Sequence, residues 1–275
     1  MLRPFPVLTR TVSYLLNLAT DRQHPWEAAY DFVSDRLRSV RQDMIIQELG
    51  SRETIALLGP MVRFYFYSKY RCETHDCSSY DSALHTSQMD ECVDRFLVAY
   101  FSMDHNELDI EHDSEMDFLK LLLLHRFKSK SVWSRILSSS IFAIIKKNCL
   151  EILHLSQFYR QGNYYKFFRR FVRLPLSDRL AISAGLDLAE FRRRSLWTMK
   201  KGYAKSKVPL DKIGQWLAFR DLKEAKFCVQ EFGFEVDDAG FVDFSKMESQ
   251  TNEKPGAISC QWRRWQDSDL VDYKF

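Results

Sequence analysis

The sequence has little of what most enzymes contain. Its 275 residues include only 9 glycines and 7 prolines, too few for a turn-rich β-sandwich or barrel, which needs a turn signal about every 8–12 residues. The glycines occur singly, so they build no phosphate-cradling loop, and no GxxxxGK[ST], G-x-S-x-G or HExxH motif is present. No histidine has a Cys or Ser partner at a spacing that indicates a triad. We therefore expect no catalytic residue, no cofactor and no small-molecule substrate.

Long apolar runs are missing as well. The run Leu121–Leu124 contains only four residues, far below the roughly 18–20 that a membrane span needs. Arg10 interrupts the apolar core that a signal peptide would require. We therefore expect no contact with a membrane.

Cysteine is sparse, and its placement favours reduced thiols. Several of the six cysteines lie inside helical patterns, which is typical of a cytosolic or nuclear protein. Cys72, His75 and Cys77 lie close together, but no second cluster with zinc-ligand spacing accompanies them. A polar loop is therefore preferred to a metal site at this place.

The net charge of +3 conceals a strong division along the chain. Residues 72–117 contain thirteen Asp or Glu and one basic residue, Arg95. Residues 160–207 contain thirteen Lys or Arg and only three acids. An acidic segment is thus joined to a basic one, and a basic face of this kind attracts a phosphate backbone.

Helical periodicity runs through most of the first two hundred residues. Leu8, Val12, Leu15 and Ala19 recur at helical spacing, and comparable stripes follow in later segments. Helices joined by short polar links predict a mainly α fold, with a solenoid-like stack of helical hairpins over residues 1–207.

Local signals predict where these helices stop. Pro60 is expected to kink or split the helix between Arg52 and Lys69. Residues 71–88, rich in Ser, Thr, Asp and His, are predicted to form the clearest loop. Gln161-Gly162-Asn163 is expected to break a second long helical stretch.

The pattern changes after Tyr203. Val208-Pro209-Leu210 is predicted to open a short helix, and Asp221–Glu231 to form a second one; two alternating strands then flank a turn at 237–240. Helix, helix, hairpin is the order of a winged helix, so residues 208–246 are predicted to form a winged-helix cap. Residues 247–275 lack helical period and are predicted to be a flexible tail.

Three elements make the chain resemble the SAC/GANP family, Sac-three-like scaffolds of nuclear mRNA export. Residues 35–43 read D-R-L-R-S-V-R-Q-D and match its signature D-R-x-R-x-hydrophobic-R-x-D. Residues 159–168 read Y-R-Q-G-N-Y-Y-K-F-F and match Y-x-x-G-N-Y-x-x-F-F. Residues 241–246 look like the end of the family's winged helix. The resemblance covers residues 2–247 and implies a short, nearly single-domain member.

The resemblance implies a PCI architecture, in which right-handed stacked helices are capped by a winged helix. In that family the winged-helix ends of two PCI proteins lie side by side, a small acidic subunit completes the complex, and the joined surface binds nucleic acid. The implied role is a non-catalytic scaffold at the nuclear-pore side of the nucleus, with a second PCI-domain protein and a small acidic subunit as partners. Two alternatives stay open: a nucleic-acid-binding module that acts without a PCI partner, and a centrosome- or spindle-associated interaction protein in the cytoplasm.

A dense charged cluster lies on the second predicted helix. Its members three residues apart are neighbours on the helix surface. Buried Arg–carboxylate pairs would hold the N-terminal helices together; the alternatives are a solvent-exposed face of weak pairs and a partner-binding face. We assign a structural role to this charged cluster, which consists of Asp35, Arg36, Arg38, Arg41 and Asp43.

Aromatic and basic residues alternate after Asn163. Tyr164, Phe167, Phe168 and Phe171 fall on one helical stripe and are predicted to be core, which leaves the arginines outside. A basic patch near a winged helix predicts weak, salt-sensitive and sequence-independent RNA binding; the alternative is a solvated basic face. The candidate nucleic-acid-binding residues are Arg169, Arg170, Arg173, Arg192, Arg193, Arg194, Lys200, Lys201, Lys205 and Lys207.

The predicted hairpin is the candidate partner-binding site. A short hairpin offers an open strand edge, which invites pairing with another chain. A partner PCI protein is expected to dock there if Phe241 or Val242 points outward; packing of the hairpin on the two short helices is the alternative. The candidate partner-binding residues are Phe234, Val236, Phe241, Val242 and Phe244.

Overall fold

The computed structural model describes residues 2–21, 24–75, 77–103, 113–138, 142, 146 and 150–245. These residues fall into two compact units, 2–123 and 124–245. Within them the fold is mainly α, as predicted, with twelve helices and one two-stranded sheet. The predicted tail, 247–275, lies outside the described residues, and the domain boundary predicted at residue 207 stays a prediction.

Long helices build the first unit. The predicted stripe Leu8, Val12, Leu15 and Ala19 is buried on the first of them, because apolar side chains three and four residues apart share one helix face. The first helix packs on the second, and the third packs on the fourth. The helices are α1 (Phe5–Thr20), α2 (Trp26–Ile46), α3 (Ser51–His75), α4 (Ser82–Ser102) and α5 (Asp113–His125), the last of which ends in the second unit.

Pro60 does not split α3, so the prediction of a split is wrong. The helix continues from Ser51 to His75, although an internal proline removes one backbone hydrogen bond and costs about 3 kcal/mol. Side chains on both sides of the proline are almost fully buried, and each such aliphatic side chain contributes about 1.5–3 kcal/mol. These side chains, which offset the cost of the proline, are Leu57, Leu58, Met61 and Val62.

The loop predicted over 71–88 is much shorter than expected. The helix α3 continues to His75, and α4 already begins at Ser82. The side chain of Asp81 accepts hydrogen bonds from two backbone N–H groups in the first turn of α4, which otherwise lack a partner. Polar composition therefore marked a helix cap here rather than a long loop.

Shorter helices build the second unit. The break predicted at 161–163 is confirmed: Gly162 has a φ of +66°, and the Asn163 side chain accepts from the N–H of Lys166. Glycine adopts this left-handed conformation without a Cβ penalty. The helices are α6 (Lys130–Leu137), α7 (Leu150–Arg160), α8 (Tyr164–Phe171), α9 (Leu176–Gly185) and α10 (Leu188–Gly202).

A strand–helix–helix–strand segment ends the described residues. It comprises β1 (Lys207–Pro209), α11 (Leu210–Trp216), α12 (Leu222–Glu231) and β2 (Phe241–Asp243). The two strands are antiparallel, with Val208 opposite Val242. The helix α11 packs against α12 and also against α8.

The strand pairing differs from the predicted hairpin. Only one bridge, between Val236 and Val242, joins the two predicted strands, and β2 pairs mainly with β1. The predicted turn is present, since the N–H of Gly240 donates to the carbonyl of Asp237 at 2.9 Å. The short helix predicted to open at 208–210 is present and begins at Leu210, whereas Val208 belongs to β1, which ends at Pro209. The fixed φ of a proline suits both an edge strand and the residue before a helix.

Candidate functional site

Two members of the charged cluster make long-range ion pairs. Arg41 is buried on α2, where its guanidinium lies 3.2 Å from a carboxylate oxygen of Glu91 and 3.3 Å from Sγ of Cys92, both on α4. Burial raises the pKa of the Cys92 thiol to about 11, so the sulfur stays protonated at neutral pH. Arg41 therefore fixes α2 against α4.

The other ion pair holds the start of the chain. Asp43 accepts from Nε of Arg3 at 2.6 Å, and Nη2 of Arg3 also donates to Ser39 at 3.1 Å. The Gln47 side chain donates to the backbone carbonyl of Arg3 at 2.9 Å. These contacts join the residues before α1 to the C-terminal half of α2, and sequence spacing alone gave no sign of the Arg3 or Glu91 partners.

The remaining members of the cluster are exposed. Asp35 contacts its sequence neighbour Arg36 at 3.1 Å, and both side chains are more than half exposed. Arg38 is also exposed. Exposed pairs of this kind contribute about 0–1 kcal/mol, so the structural contacts of the cluster come from Arg41 and Asp43.

The basic candidates on α8 surround a buried aromatic stripe. Phe167, Phe168 and Phe171 are fully buried as predicted, whereas Tyr164, the fourth member of the predicted core stripe, is only half-buried. Arg169 is exposed, and so is Arg173 in the turn after the helix. The half-buried Arg170 lies over the ring of Phe158 and 3.7 Å from Glu151 on α7, so its charge is partly neutralised.

The basic candidates on α10 and in the following loop differ in availability. Arg193 forms a bidentate pair with Glu190 at 2.6 and 2.8 Å, and this pairing raises its pKa. Lys207 contacts Asp237 at 2.8 Å, which raises the pKa of the lysine. Lys200 is half-buried, with its ammonium 5.0 Å above the ring of Trp197. The exposed candidates in this region are Arg194, Lys201, Lys205 and the acid-paired Lys207.

Arg192 is the one candidate that does not belong to the basic surface. The whole residue is 1% exposed, so it cannot meet an RNA backbone. Its guanidinium donates to the carbonyl oxygens of Leu217 and Ala218, and it lies 4.2 Å from the centroid of the Phe219 ring. The run of three arginines suggested a surface patch, but helical periodicity turns the first of them inward. Arg192 thus connects α10 to the end of α11.

The candidate partner-binding residues divide in the same way. Phe234, Val242 and Phe244 are almost completely buried, with the rings of Phe234 and Phe244 5.3 Å apart. Val236 is half-buried, and Phe241 is 37% exposed. A partner that approached this sheet would therefore meet Phe241 and the backbone edge, and the three buried residues form the core beneath.

An exposed aromatic pair was not among the sequence candidates. Tyr203, after α10, stacks on Trp216 of α11 with ring centroids 6.2 Å apart and planes 18° apart. Tyr203 is 37% exposed and Trp216 half-buried. Helical periodicity predicted that Trp216 lies on the apolar face of its helix, but sequence spacing could not predict its contact with Tyr203.

Comparison with known proteins identifies the family. Residues 1–238 match the family model described as SAC3/GANP family. The chain belongs to the SAC3/GANP family.

Three curated relatives extend this match. "Protein xmas" of Drosophila melanogaster is 27% identical over 92% of the chain, and "SAC3 family protein B" of Arabidopsis thaliana is 23% identical over 86%. "SAC3 family protein 1" of Schizosaccharomyces pombe is 23% identical, also over 86%. The chain spans only 13%, 14% and 25% of these three proteins, respectively.

The SAC3/GANP chain shows no metal-binding arrangement in the part that the structure describes. No group of three His, Cys, Asp or Glu side chains converges there on one point. The buried Cys72 instead accepts a hydrogen bond from the indole N–H of Trp26 at 3.3 Å, and burial raises the pKa of its thiol. Among the described helices, none is both long and apolar enough to span a bilayer.

Proposed function

We propose that the chain is a non-catalytic PCI-type scaffold, which pairs with a second PCI-domain protein through its C-terminal segment and presents a basic surface to RNA. In this proposal the strand–helix–helix–strand segment 207–243 is a winged helix, and the helices before it form a right-handed stack. A small acidic subunit would complete the complex, as the family resemblance implies.

The order and pairing of the C-terminal elements support a winged helix. The segment runs β1, α11, α12, the single bridge at Val236 and then β2. Because β2 lies between β1 and Val236, Val236 and β1 stand at the two outer edges. Outer edges carry unpaired backbone groups that another chain can use, and Phe241 adds a partly exposed aromatic side chain beside them. Aromatic residues are enriched among the few interface residues that contribute most of the binding energy.

Exposed cations support contact with RNA. Arg169, Arg173, Arg194, Lys201 and Lys205 are all exposed and lie in the second unit. No exposed acid interrupts residues 191–207. Each phosphate contact releases counterions, so binding through these side chains is expected to weaken steeply as salt rises.

The contact that carries the proposal is that of Arg192 with the end of α11. It ties α10, from which Arg194 and Lys201 project, to the segment proposed as winged helix. A partner that docks on the β1–β2 sheet would thus add its own surface to a firmly attached basic helix. This coupling favours a scaffold that also binds RNA over a module that does only one of the two.

Membership of the SAC3/GANP family supports a role in mRNA export and a nuclear location. Both are proposals for this chain, because it spans a small part of its curated relatives. The basic surface taken alone would also suit an RNA-binding module that acts without a PCI partner, and the two experiments below test this alternative.

Purification of the tagged full chain from cell extract tests the pairing. We expect a second PCI-domain protein in the eluate, identified by mass spectrometry, and its loss with Phe241→Asp. Tyr14→Asp, at a tyrosine that is 64% exposed in the first unit, is the matched control and retains the partner. If no PCI protein accompanies the wild-type chain, the scaffold proposal fails.

Charge reversal tests the RNA surface separately. The triple variant Arg169→Glu, Arg194→Glu, Lys201→Glu should lose crosslinked RNA and keep the PCI partner. RNA retained at the wild-type level would show that these cations are inert. RNA binding by a chain that has no PCI partner would favour the independent module.

A further inference from the structure

The Tyr203–Trp216 pair presents an aromatic face to solvent. The rings are nearly parallel, 18° apart, and Tyr203 is 37% exposed. The surrounding residues 201–207 are all exposed, so the loop that carries Tyr203 stands clear of the core. A partly exposed pair of large rings offers a flat surface on which another flat group can stack.

A third aromatic residue, Tyr164, begins α8, and α8 packs against α11, which carries Trp216. Burial raises the pKa of Tyr164, and the phenol of Tyr203 raises it further. The ring contact itself is made by two segments of the second unit, α11 and the residue that follows α10, while α8 packs against α11.

The charge around these rings is positive. Residues 200–207 include four lysines and no acid, and one of the lysines, Lys207, is paired with Asp237. Lys212 is exposed one helical turn before Trp216, on the same side of α11. Asp211 is exposed as well, but it lies on a different side of the helix. The ligand that matches this surface therefore has flat rings and negative charge.

We propose that Tyr203 and Trp216 form a stacking platform for unpaired bases, and that the chain therefore selects single-stranded over double-stranded RNA. This inference rests on the RNA contact proposed above and adds residues and a strand preference to it. Every base has a face that stacks on an aromatic ring, whereas in a duplex those faces are covered by neighbouring bases. Lys201 and Lys205 neutralise the phosphates that connect the stacked bases.

Affinity for a fluorescently labelled twelve-nucleotide RNA, measured by anisotropy with the full chain, tests the platform. Loss of one base–aromatic stack weakens binding about 5- to 150-fold, so we expect that change for Tyr203→Ala and little change for Tyr203→Phe. Tyr14→Ala, which removes an exposed tyrosine of the first unit, should bind as the wild type does. A duplex of equal length should bind more weakly and should not respond to Tyr203→Ala.

Salt titration separates stacking from charge. Tyr203→Ala should lower affinity at every salt concentration and leave the slope of log K against log salt unchanged. The double variant Lys201→Ala, Lys205→Ala should reduce that slope by about 0.7 for each phosphate that is no longer neutralised. If the lysine variant weakens binding and Tyr203→Ala does not, the platform is wrong while the RNA surface stands. If the wild-type chain binds no RNA, both the stacking platform and the proposed RNA surface are wrong. Pairing with a PCI protein is then still tested separately, by purification of the tagged chain from cell extract.

Two further outcomes would overturn the platform. Equal weakening of single-stranded and duplex RNA by Tyr203→Ala would indicate a backbone contact, and loss of the PCI partner with RNA binding intact would assign the rings to a protein interface. If Tyr203→Ala lowers the Tm, RNA affinity is measured with Tyr203→Leu instead, because leucine keeps apolar bulk and lacks the π face. Full affinity in that variant contradicts stacking.

Discussion

The Nη2 group of Arg192 donates to the backbone carbonyl of Ala218 at 2.6 Å, although 26 residues separate the two. Ala218 follows α11 in the left-handed region, with a φ of +53°. The helix end has the pattern of a Schellman motif, since the N–H of Phe219 donates to the carbonyl of Gly214 at 2.9 Å. A buried cation thus stabilises a helix terminus at which alanine stands in the place usually taken by glycine.

Replacement of Arg192 by Met should destabilise the chain by about 3 kcal/mol. The variant leaves the carbonyl of Leu217 without its donor in a buried site and that of Ala218 without its donor in a part-buried site. An unmade buried hydrogen bond costs about 1–3 kcal/mol. Urea unfolding measures the change. Arg194→Met, two positions along and exposed, is the control and should stay within about 0.5 kcal/mol of wild type. An Arg192→Met variant as stable as that control would contradict the assigned role.

Ala218→Gly should have the opposite effect. The left-handed conformation costs an L-residue about 1–2 kcal/mol, and glycine avoids this cost. Glycine also lowers the free energy of unfolding by about 0.5–1 kcal/mol, because its unfolded chain has more conformational freedom. We therefore expect a net gain of about 0.5–1 kcal/mol in the free energy of unfolding. A loss in the same urea assay would mean that the Ala218 methyl group makes contacts that outweigh the strain.

Periodicity predicted the buried side of individual helices but not the partners across helices. The stripe on α1 and the three phenylalanines of α8 were found because their spacing repeats every three or four residues. The same rule could not place Arg192, because three consecutive arginines look alike until the helix phase decides which one points inward. Glu91, Leu217 and Trp216 belong to later segments, so no local pattern links them to Arg41, Arg192 and Tyr203.

Local composition was misleading where packing outweighed it. Pro60 signals a break, but the buried side chains around it keep α3 continuous. The segment after Arg71 is polar enough for a loop, yet Asp81 caps α4, and His85 is buried in that helix. A buried histidine in polar sequence also has a consequence for stability against pH.

His85 should make the chain less stable in mild acid. Its Nε2 lies 3.0 Å from the carbonyl of Tyr65, so Nε2 carries the proton, and Nδ1 accepts from the hydroxyl of Tyr30 at 2.9 Å. Burial lowers the pKa of His85 to about 4. Because the unfolded chain binds the proton near pH 6.5, stability is complete above that pH and falls as the pH drops toward 4.

The expected loss is about 2 kcal/mol in the free energy of unfolding between pH 7 and pH 5. His85→Gln should be less stable at pH 7 but should lose less over the same interval. His24→Gln, at an exposed histidine, should keep the wild-type slope. Parallel pH profiles for wild type and His85→Gln would show that His85 is not the group that titrates.

Gly185, the last residue of α9, should not tolerate a side chain. A Cβ built at this position would lie 2.0 Å from the carbonyl oxygen and 2.9 Å from Nδ1 of His125. The first contact is with backbone, which cannot move aside as a flexible side chain can, so Gly185→Ala should cost about 3 kcal/mol or more. Gly202, the last residue of α10, is the matched control, since a Cβ there meets nothing within 4 Å.

Gly202→Ala should be neutral or gain up to about 1 kcal/mol, because alanine is the better helix former. Opposite signs for the two substitutions in thermal or urea unfolding would therefore separate close approach at His125 from the general effect of Gly→Ala in a helix. If both substitutions stabilise the chain, the backbones of α9 and His125 do not approach as described.

The contact between Gly185 and His125 also affects the basic surface. It fixes the end of α9 directly before α10, and α10 bears Arg192 on its inner side and the exposed Arg194 and Lys201 on its outer side. We therefore expect Gly185→Ala to weaken RNA binding although the exposed cations are retained, because the position of these cations depends on the packing beneath them.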